Sequence, residues 1–94
     1  MFTGIVEETG IVDSIQPLDK SMRLTVTMRK CGAGLKVGHS LAINGCCLTV
    51  VKLTAKGRKK TAQFDLLNET WTKTNLQFTR AGSLVNLERS LEAG

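Results

Sequence analysis

Apolar and polar positions alternate with a period near two along most of the chain, the pattern of half-buried strands. The clearest stretch is Met22 to Met28, where Met22, Leu24, Val26 and Met28 alternate with Arg23, Thr25 and Thr27. Ahead of it, Phe2 to Val12 is a run of β-branched and small residues, punctuated by Gly4 and Gly10, that reads as a strand. A glycine inside a strand marks a bulge, a barrel corner or a close approach of another group. Gln16-Pro17-Leu18-Asp19 reads as the turn between these two segments. Cys31 to Gly38 holds three glycines and reads as a loop with room for a helical turn. Ser40 to Ile43 is a short strand, and Asn44-Gly45 after it is the strongest two-residue hairpin signal in the sequence. Cys46 to Leu53 returns as an almost continuously apolar strand, and Thr61 to Leu67 is the next. Asn68 to Asn75 has weak helical character: Asn68 is able to cap, and Glu69 lies in the first turn, where the helix dipole favours an acid. Ala81-Gly82-Ser83 turns the chain into the last strand, Leu84 to Leu87.

Six strands at roughly even spacing with one short helix predict an all-β fold, a small antiparallel barrel that closes to remove its edge strands. Longer strands would give a sandwich instead. At 94 residues the chain is one domain, spanning 1–94, with no internal repeat and no low-complexity segment. A composition of 41 % hydrophobic and 22 % charged residues excludes intrinsic disorder, which needs low hydrophobicity and high net charge. The run from Val37 to Val51 is interrupted by His39 and Asn44, so no membrane-spanning helix is expected. The N-terminus lacks a basic region followed by an apolar stretch, so no secretory signal is expected.

The formal charge is +5, and its placement matters more than its sum. Lys56, Arg58, Lys59 and Lys60 cluster around Gly57 and read as a solvated hairpin tip, with a phosphate-binding patch as the alternative. With no Tyr, one Trp and three Phe, the chain lacks the stacking platform of a nucleic-acid-binding barrel. No nucleic acid or membrane partner is expected.

The three cysteines are Cys31, Cys46 and Cys47. Adjacent residues of a strand point to opposite faces, so a Cys46–Cys47 bridge would be badly strained. There is no CxxC spacing and only one His, so no metal site is expected. Three reduced thiols suit a cytoplasmic protein. His39, between Gly38 and Ser40, reads as a turn residue at a strand entrance rather than as a general base.

Three segments together resemble riboflavin synthase: Met1-Phe2-Thr3-Gly4-Ile5-Val6-Glu7, Asn44-Gly45-Cys46-Cys47-Leu48-Thr49-Val50 and Val85-Asn86-Leu87-Glu88-Arg89. Asp65 to Asn75 is also similar to that family's passage from a strand into a short helix and a Thr-Asn-Leu turn. The likeness covers essentially the whole chain, with the basic hairpin between Val51 and Thr61 as the main departure. The resemblance implies a six-stranded Greek-key barrel, one of two similar barrels in tandem ahead of a helix that builds a homotrimer. Each quoted motif occurs once here, so the chain is expected to be the N-terminal barrel of such a pair. The family converts two molecules of 6,7-dimethyl-8-ribityllumazine into riboflavin and 5-amino-6-ribitylaminopyrimidinedione, with no metal or organic cofactor. A non-catalytic lumazine- or flavin-binding antenna protein of the same superfamily is the alternative.

A flat pteridine needs a slot lined by small residues and exposed backbone groups. Gly4, Ile5 and Val6 offer backbone approach and β-branched walls. The alternative for them is a barrel strand with a corner glycine. Cys47, Leu48 and Thr49 and the segment Asp65, Leu66, Leu67, Asn68, Glu69 and Thr70 complete the expected substrate site. The hydroxyls of Thr49 and Thr70 suit a ring carbonyl or a polyol, and Asp65, Asn68 and Glu69 suit ribityl hydroxyls. Strand alternation and, for Asn68, helix capping are the competing roles. By the resemblance, Cys47 faces the bound lumazine and is the candidate catalytic residue. It either contacts or adds to C7 of the acceptor, orders the water that does, or merely packs in the barrel. Cys46 should face the other way. An isolated barrel keeps the surface meant for its sister, which predicts a homodimer with Met1 to Val6 in or near the contact.

Overall fold

The computed structural model describes residues 2–90, so Met1 and residues 91–94, the two ends of the expected pattern, lie outside the described residues. Six strands form: β1 (Glu8–Pro17), β2 (Ser21–Met28), β3 (Ser40–Ile43), β4 (Cys46–Lys56), β5 (Lys59–Leu67) and β6 (Leu84–Arg89). One α-helix, α1 (Asn68–Lys73), and two 3₁₀ turns, Lys30–Gly32 and Asn75–Phe78, join them. The strands close into an antiparallel barrel in the order β1-β2-β5-β4-β3-β6. Three consecutive strands, β3, β4 and β5, lie side by side and β6 returns beside β3, which is a Greek key.

The alternation read from the sequence places the core. Leu24, Val26 and Met28, then Leu41 and Ile43, Leu48 and Val50, Ala62, Phe64 and Leu66, and Val85 and Leu87 all point inward and are buried. The 3₁₀ turn after α1 adds the fully buried Leu76, with Trp71 packed against the cluster. The loop between β2 and β3 adds Cys31 and Leu35. Asn44 and Gly45 both take positive φ, 50° and 81°, as a two-residue hairpin with matching right-handed twist requires. The basic hairpin is solvated, as expected: residues 56–59 are all exposed.

The first strand differs from expectation at both ends. It starts at Glu8, not Phe2, because the backbone N–H groups of Thr3 and Gly4 bond the Glu88 carboxylate instead of a neighbouring strand. Residues 2–7 are therefore an arm laid along β6, joined to it again by Glu7 N–H donating to the Leu87 carbonyl at 2.8 Å. At the other end β1 runs through Pro17, which pairs with Met22. Leu18 N–H donates to the Ser21 carbonyl, so Pro17 and Met22 form a non-hydrogen-bonded pair, in which the Pro17 nitrogen turns away from β2 and no N–H is missed. Gly10 marks a close approach: a Cβ there would lie 2.7 Å from Leu87 Cδ1 and 3.1 Å from the Thr27 carbonyl oxygen. The bulge in β1 falls later, between Val12 and Ser14.

Candidate functional site

β4 changes partner along its length. Cys46 to Thr49 pair with β3, whereas Val50 to Lys56 pair with β5. Val50 N–H donates to the His39 carbonyl at 2.9 Å, and the Val50 carbonyl accepts from Gly38 N–H at 2.8 Å. Backbone groups alternate in direction along a strand, so those of Cys47 and Thr49 turn the other way, toward β5. Just past β5, Asn68 N–H donates to the Lys20 carbonyl at 3.1 Å, on the β2 side. By the same alternation the backbone groups of Asp65 and Leu67 turn toward β4. Yet the β4–β5 ladder ends at Val50 and Phe64. Beyond that rung no ladder pair joins the two strands, and this unladdered stretch, with the backbones of Cys47 and Leu67 on either side, is the candidate slot.

Side chains around the slot follow the same parity. Cys47, Thr49, Asp65 and Leu67 are exposed on the outer face, whereas Leu48 and Leu66 turn into the core. Those two leucines therefore present only their backbone on that side. Cys46 faces inward and is half-buried, as its place next to Cys47 requires. Burial, and then the neighbouring Cys47, push its thiol pKa up. Arg23 on β2 holds the Asp65 carboxylate in a two-pronged ion pair at 2.8 and 3.1 Å, which keeps that carboxyl below the usual carboxylate range.

The other predicted residues approach from two sides. Gly4 and Val6 line a cavity of about 400 Å³ with Ala42, Asn44, Asn75 and Glu88, among others. Ala42 is the ladder partner of Cys47, so this cavity lies on the β3 side of β4. Gly4 has φ +83°, which turns the arm there, and Ile5 is 69 % exposed. Asn68, Glu69 and Thr70 continue from Leu67 on the exposed first turn of α1. Asn68 is not the cap: the helix is preceded by Leu67 at the N-cap position, with no side-chain cap bond. Glu69 pairs with Lys73 at 2.7 Å along the helix. His39 accepts the Lys36 N–H through Nδ1 at 3.2 Å, the turn role read from the sequence.

Glu88, Asn44, Asn75 and Asn86 were not singled out as site residues by the sequence. Asn44 and Asn86 tie the hairpin to β6, with Asn86 N–H donating to Asn44 Oδ1 at 2.7 Å. Glu88 had a signal: after the inward Val85 and Leu87 it falls on the outer face, yet it is only 8 % exposed. Among the described residues, no group of His, Cys, Asp and Glu converges to hold a metal ion. No helix among them is long and apolar enough to cross a membrane.

Comparison with known proteins places this geometry. The family model for the lumazine binding domain matches residues 3–90. The riboflavin synthase of Bacillus subtilis is 41 % identical over 93 residues, which cover 99 % of this chain and 41 % of that protein. The riboflavin synthase of Mycobacterium tuberculosis is 43 % identical over 94 residues, covering 100 % of this chain and 45 % of that protein. This chain thus spans less than half the length of these relatives. The crystal structure of LumP complexed with riboflavin superposes with a TM-score of 0.85 at 32 % identity, over 100 % of this chain and 49 % of LumP. LumP complexed with 6,7-dimethyl-8-(1'-D-ribityl) lumazine gives 0.81 at 32 % identity, over 97 % of this chain and 49 % of LumP. With its closed six-stranded barrel and a family-model match over residues 3–90, the chain belongs to the lumazine-binding domain family.

Proposed function

We propose that this chain binds 6,7-dimethyl-8-ribityllumazine and riboflavin at one site, as the N-terminal half of a riboflavin synthase. The observation that carries the reading is the end of the β4–β5 ladder at Val50 and Phe64. It leaves backbone donors and acceptors of Cys47 and Leu67 at the rim of a slot, which suits a planar ring bearing carbonyl and N–H groups. Thr49 and Thr70 supply hydroxyls, and Asp65, Asn68 and Glu69 accept from the ribityl chain. Gly4 to Val6 close the site from the β3 side. LumP, of the same architecture, carries the lumazine, riboflavin and flavin mononucleotide in its crystal structures. The riboflavin synthases named above are nearer in identity than LumP, which favours the enzyme over a ligand carrier.

In the reaction, one lumazine loses a proton from its C7 methyl and the other takes a nucleophile at C7. A four-carbon unit then passes between them to give riboflavin and 5-amino-6-ribitylaminopyrimidinedione. In this reading Cys47, which is exposed on the outer face of β4, contacts or adds to C7 of the acceptor, or orders the water that does. No metal or organic cofactor enters this scheme. One barrel holds one of the two lumazines, so turnover needs a second barrel to complete the pair, and misplacement by about 1 Å already costs roughly 10²-fold. Two-barrel parents assemble as homotrimers in this reading, and the isolated barrel as a homodimer. Its three free thiols suit the cytoplasm.

Titration with riboflavin tests the reading, by calorimetry and by quenching of flavin fluorescence. Saturable binding at one site per chain is expected. No heat and no fluorescence change at high micromolar riboflavin removes it.

A further inference from the structure

Glu88 is a carboxylate on the outside of a barrel that is nonetheless 8 % exposed. Its ladder partner on β3 is Ala42, itself only 5 % exposed on the same outer face. The N-terminal arm lies against Glu88, and Gly4 and Val6 share a cavity wall with Ala42. Thr3 N–H donates to Glu88 Oε2, the Thr3 hydroxyl donates to the same oxygen at 2.8 Å, and Gly4 N–H reaches both carboxylate oxygens at 3.1 Å. Thr3 Oγ1 in turn accepts Ile5 N–H at 3.1 Å. The ion pairs among the described residues are Arg23–Asp65, Lys73–Glu69 and Arg89–Glu7, and Glu88 is in none of them. Its charge is answered by the arm's own donors.

That arrangement fixes the direction of the arm. With the N–H groups of Thr3, Gly4 and Ile5 committed toward Glu88 and Thr3, the Gly4–Val6 backbone has a set position beside the cavity it shares with Ala42 and Asn75. Hydrogen bonds to a charged acceptor are the stronger kind, so one carboxylate can order a segment that has no strand pairing of its own.

We propose that Glu88 is a positioning residue: through Thr3 and Gly4 it latches the arm so that Gly4 to Val6 are preorganised for the ring. This rests on the flavin-binding reading above. Preorganisation raises affinity by removing the cost of ordering a loop on binding. Gln at position 88 keeps the shape but turns an amide donor toward the arm's donors. Val at position 3 removes the hydroxyl that links Glu88 to Ile5.

The test is Glu88→Gln, Thr3→Val and the double variant in the full chain. Amide exchange of residues 3–5 and riboflavin affinity are both measured. Exchange of the arm amides should rise at least tenfold in Glu88→Gln, while amides of the β2–β5 ladder stay as protected as before. Riboflavin should bind roughly tenfold more weakly to each single variant. The double variant should be little worse than the weaker single, because both changes release one latch. Unchanged arm exchange overturns the proposal, as does loss of protection throughout the barrel, since Glu88 would then be a structural residue. Additive losses in affinity overturn it too. If the unmodified chain itself fails to bind riboflavin, the flavin reading falls, while arm exchange still decides the latch.

Discussion

Cys31 and Cys47 carry the same thiol in opposite surroundings. Cys31 is fully buried under the loop after β2, and its N–H donates to the Glu8 carboxylate at 2.8 Å. Burial, with the charges of Glu7 and Glu8 nearby, pushes its pKa up to about 12, so it stays a thiol at pH 8. Cys47 stands on the outer face of β4. Iodoacetamide at pH 8 should therefore alkylate Cys47 and spare Cys31, and saturating riboflavin should slow the reaction at Cys47. Peptide mass mapping reads both, and equal labelling of Cys31 would contradict the burial. Glu7 shows the acid side of the same logic. Its hydrogen bonds from the Arg89 side chain and backbone hold its pKa below the ordinary 4.5. A folded pKa below the unfolded one stabilises the fold above the unfolded value, and that stability is lost as pH falls through the folded value. The pair is about a third exposed, so the effect is under about 1 kcal/mol. Urea midpoints should fall from pH 5 to pH 3, and Glu7→Gln should be less stable at pH 6 while losing part of that slope.

At the level of elements, Gly10 is a point where β1 passes close to its neighbours. A methyl group there meets Leu87 at 2.7 Å, Val26 at 3.0 Å and the Thr27 carbonyl at 3.1 Å. Leu87 is fully buried and has little freedom to swing away. Gly10→Ala should destabilise the barrel by about 1–3 kcal/mol, read as a lower urea midpoint with unchanged slope. An unaltered midpoint would show that β1 moves freely. The same glycine shows what the sequence discloses about the fold. Period-two alternation located β2 to β6 within a few residues, because one side of each strand must fill the core. Asn44-Gly45 was legible because few residues other than Asn and Gly adopt positive φ twice in succession. The arm was not legible. Thr3-Gly4-Ile5-Val6 has strand composition, and only the distant Glu88 takes its N–H groups out of a ladder. The slot was hidden for a related reason: Cys46 to Leu53 reads as one strand, and nothing local reveals that it changes partner at Val50. Cys47 and Thr49 were readable as outward residues by parity, and Leu48 and Leu66 as inward ones, although the family likeness swept all four into one site.

For the whole molecule, the surface left uncovered decides how it assembles. Ile11 and Leu84 are ladder partners on β1 and β6, 47 % and 66 % exposed, and both point outward. The arm that runs along β6 adds Ile5 at 69 % and Val6 at 51 % exposed. A monomer gains nothing by wetting exposed apolar side chains such as these. In the tandem-barrel reading a second, similar barrel would be set against such a face, and this chain spans only 41–45 % of the riboflavin synthases it matches. A second copy is the nearest substitute in shape, and twofold self-pairing is the commonest closed arrangement. The arm then lies in or near the contact. The expected outcome is a homodimer by sedimentation equilibrium, with Leu84→Asp shifting the equilibrium toward monomer. Circular dichroism should show the barrel intact in that variant, because Leu84 contributes no buried side chain to the core. A concentration-independent mass of one 10.2 kDa chain would sink the dimer. A mass of three chains would show that a single barrel trimerises by itself, without the helix assigned that task in the parent family.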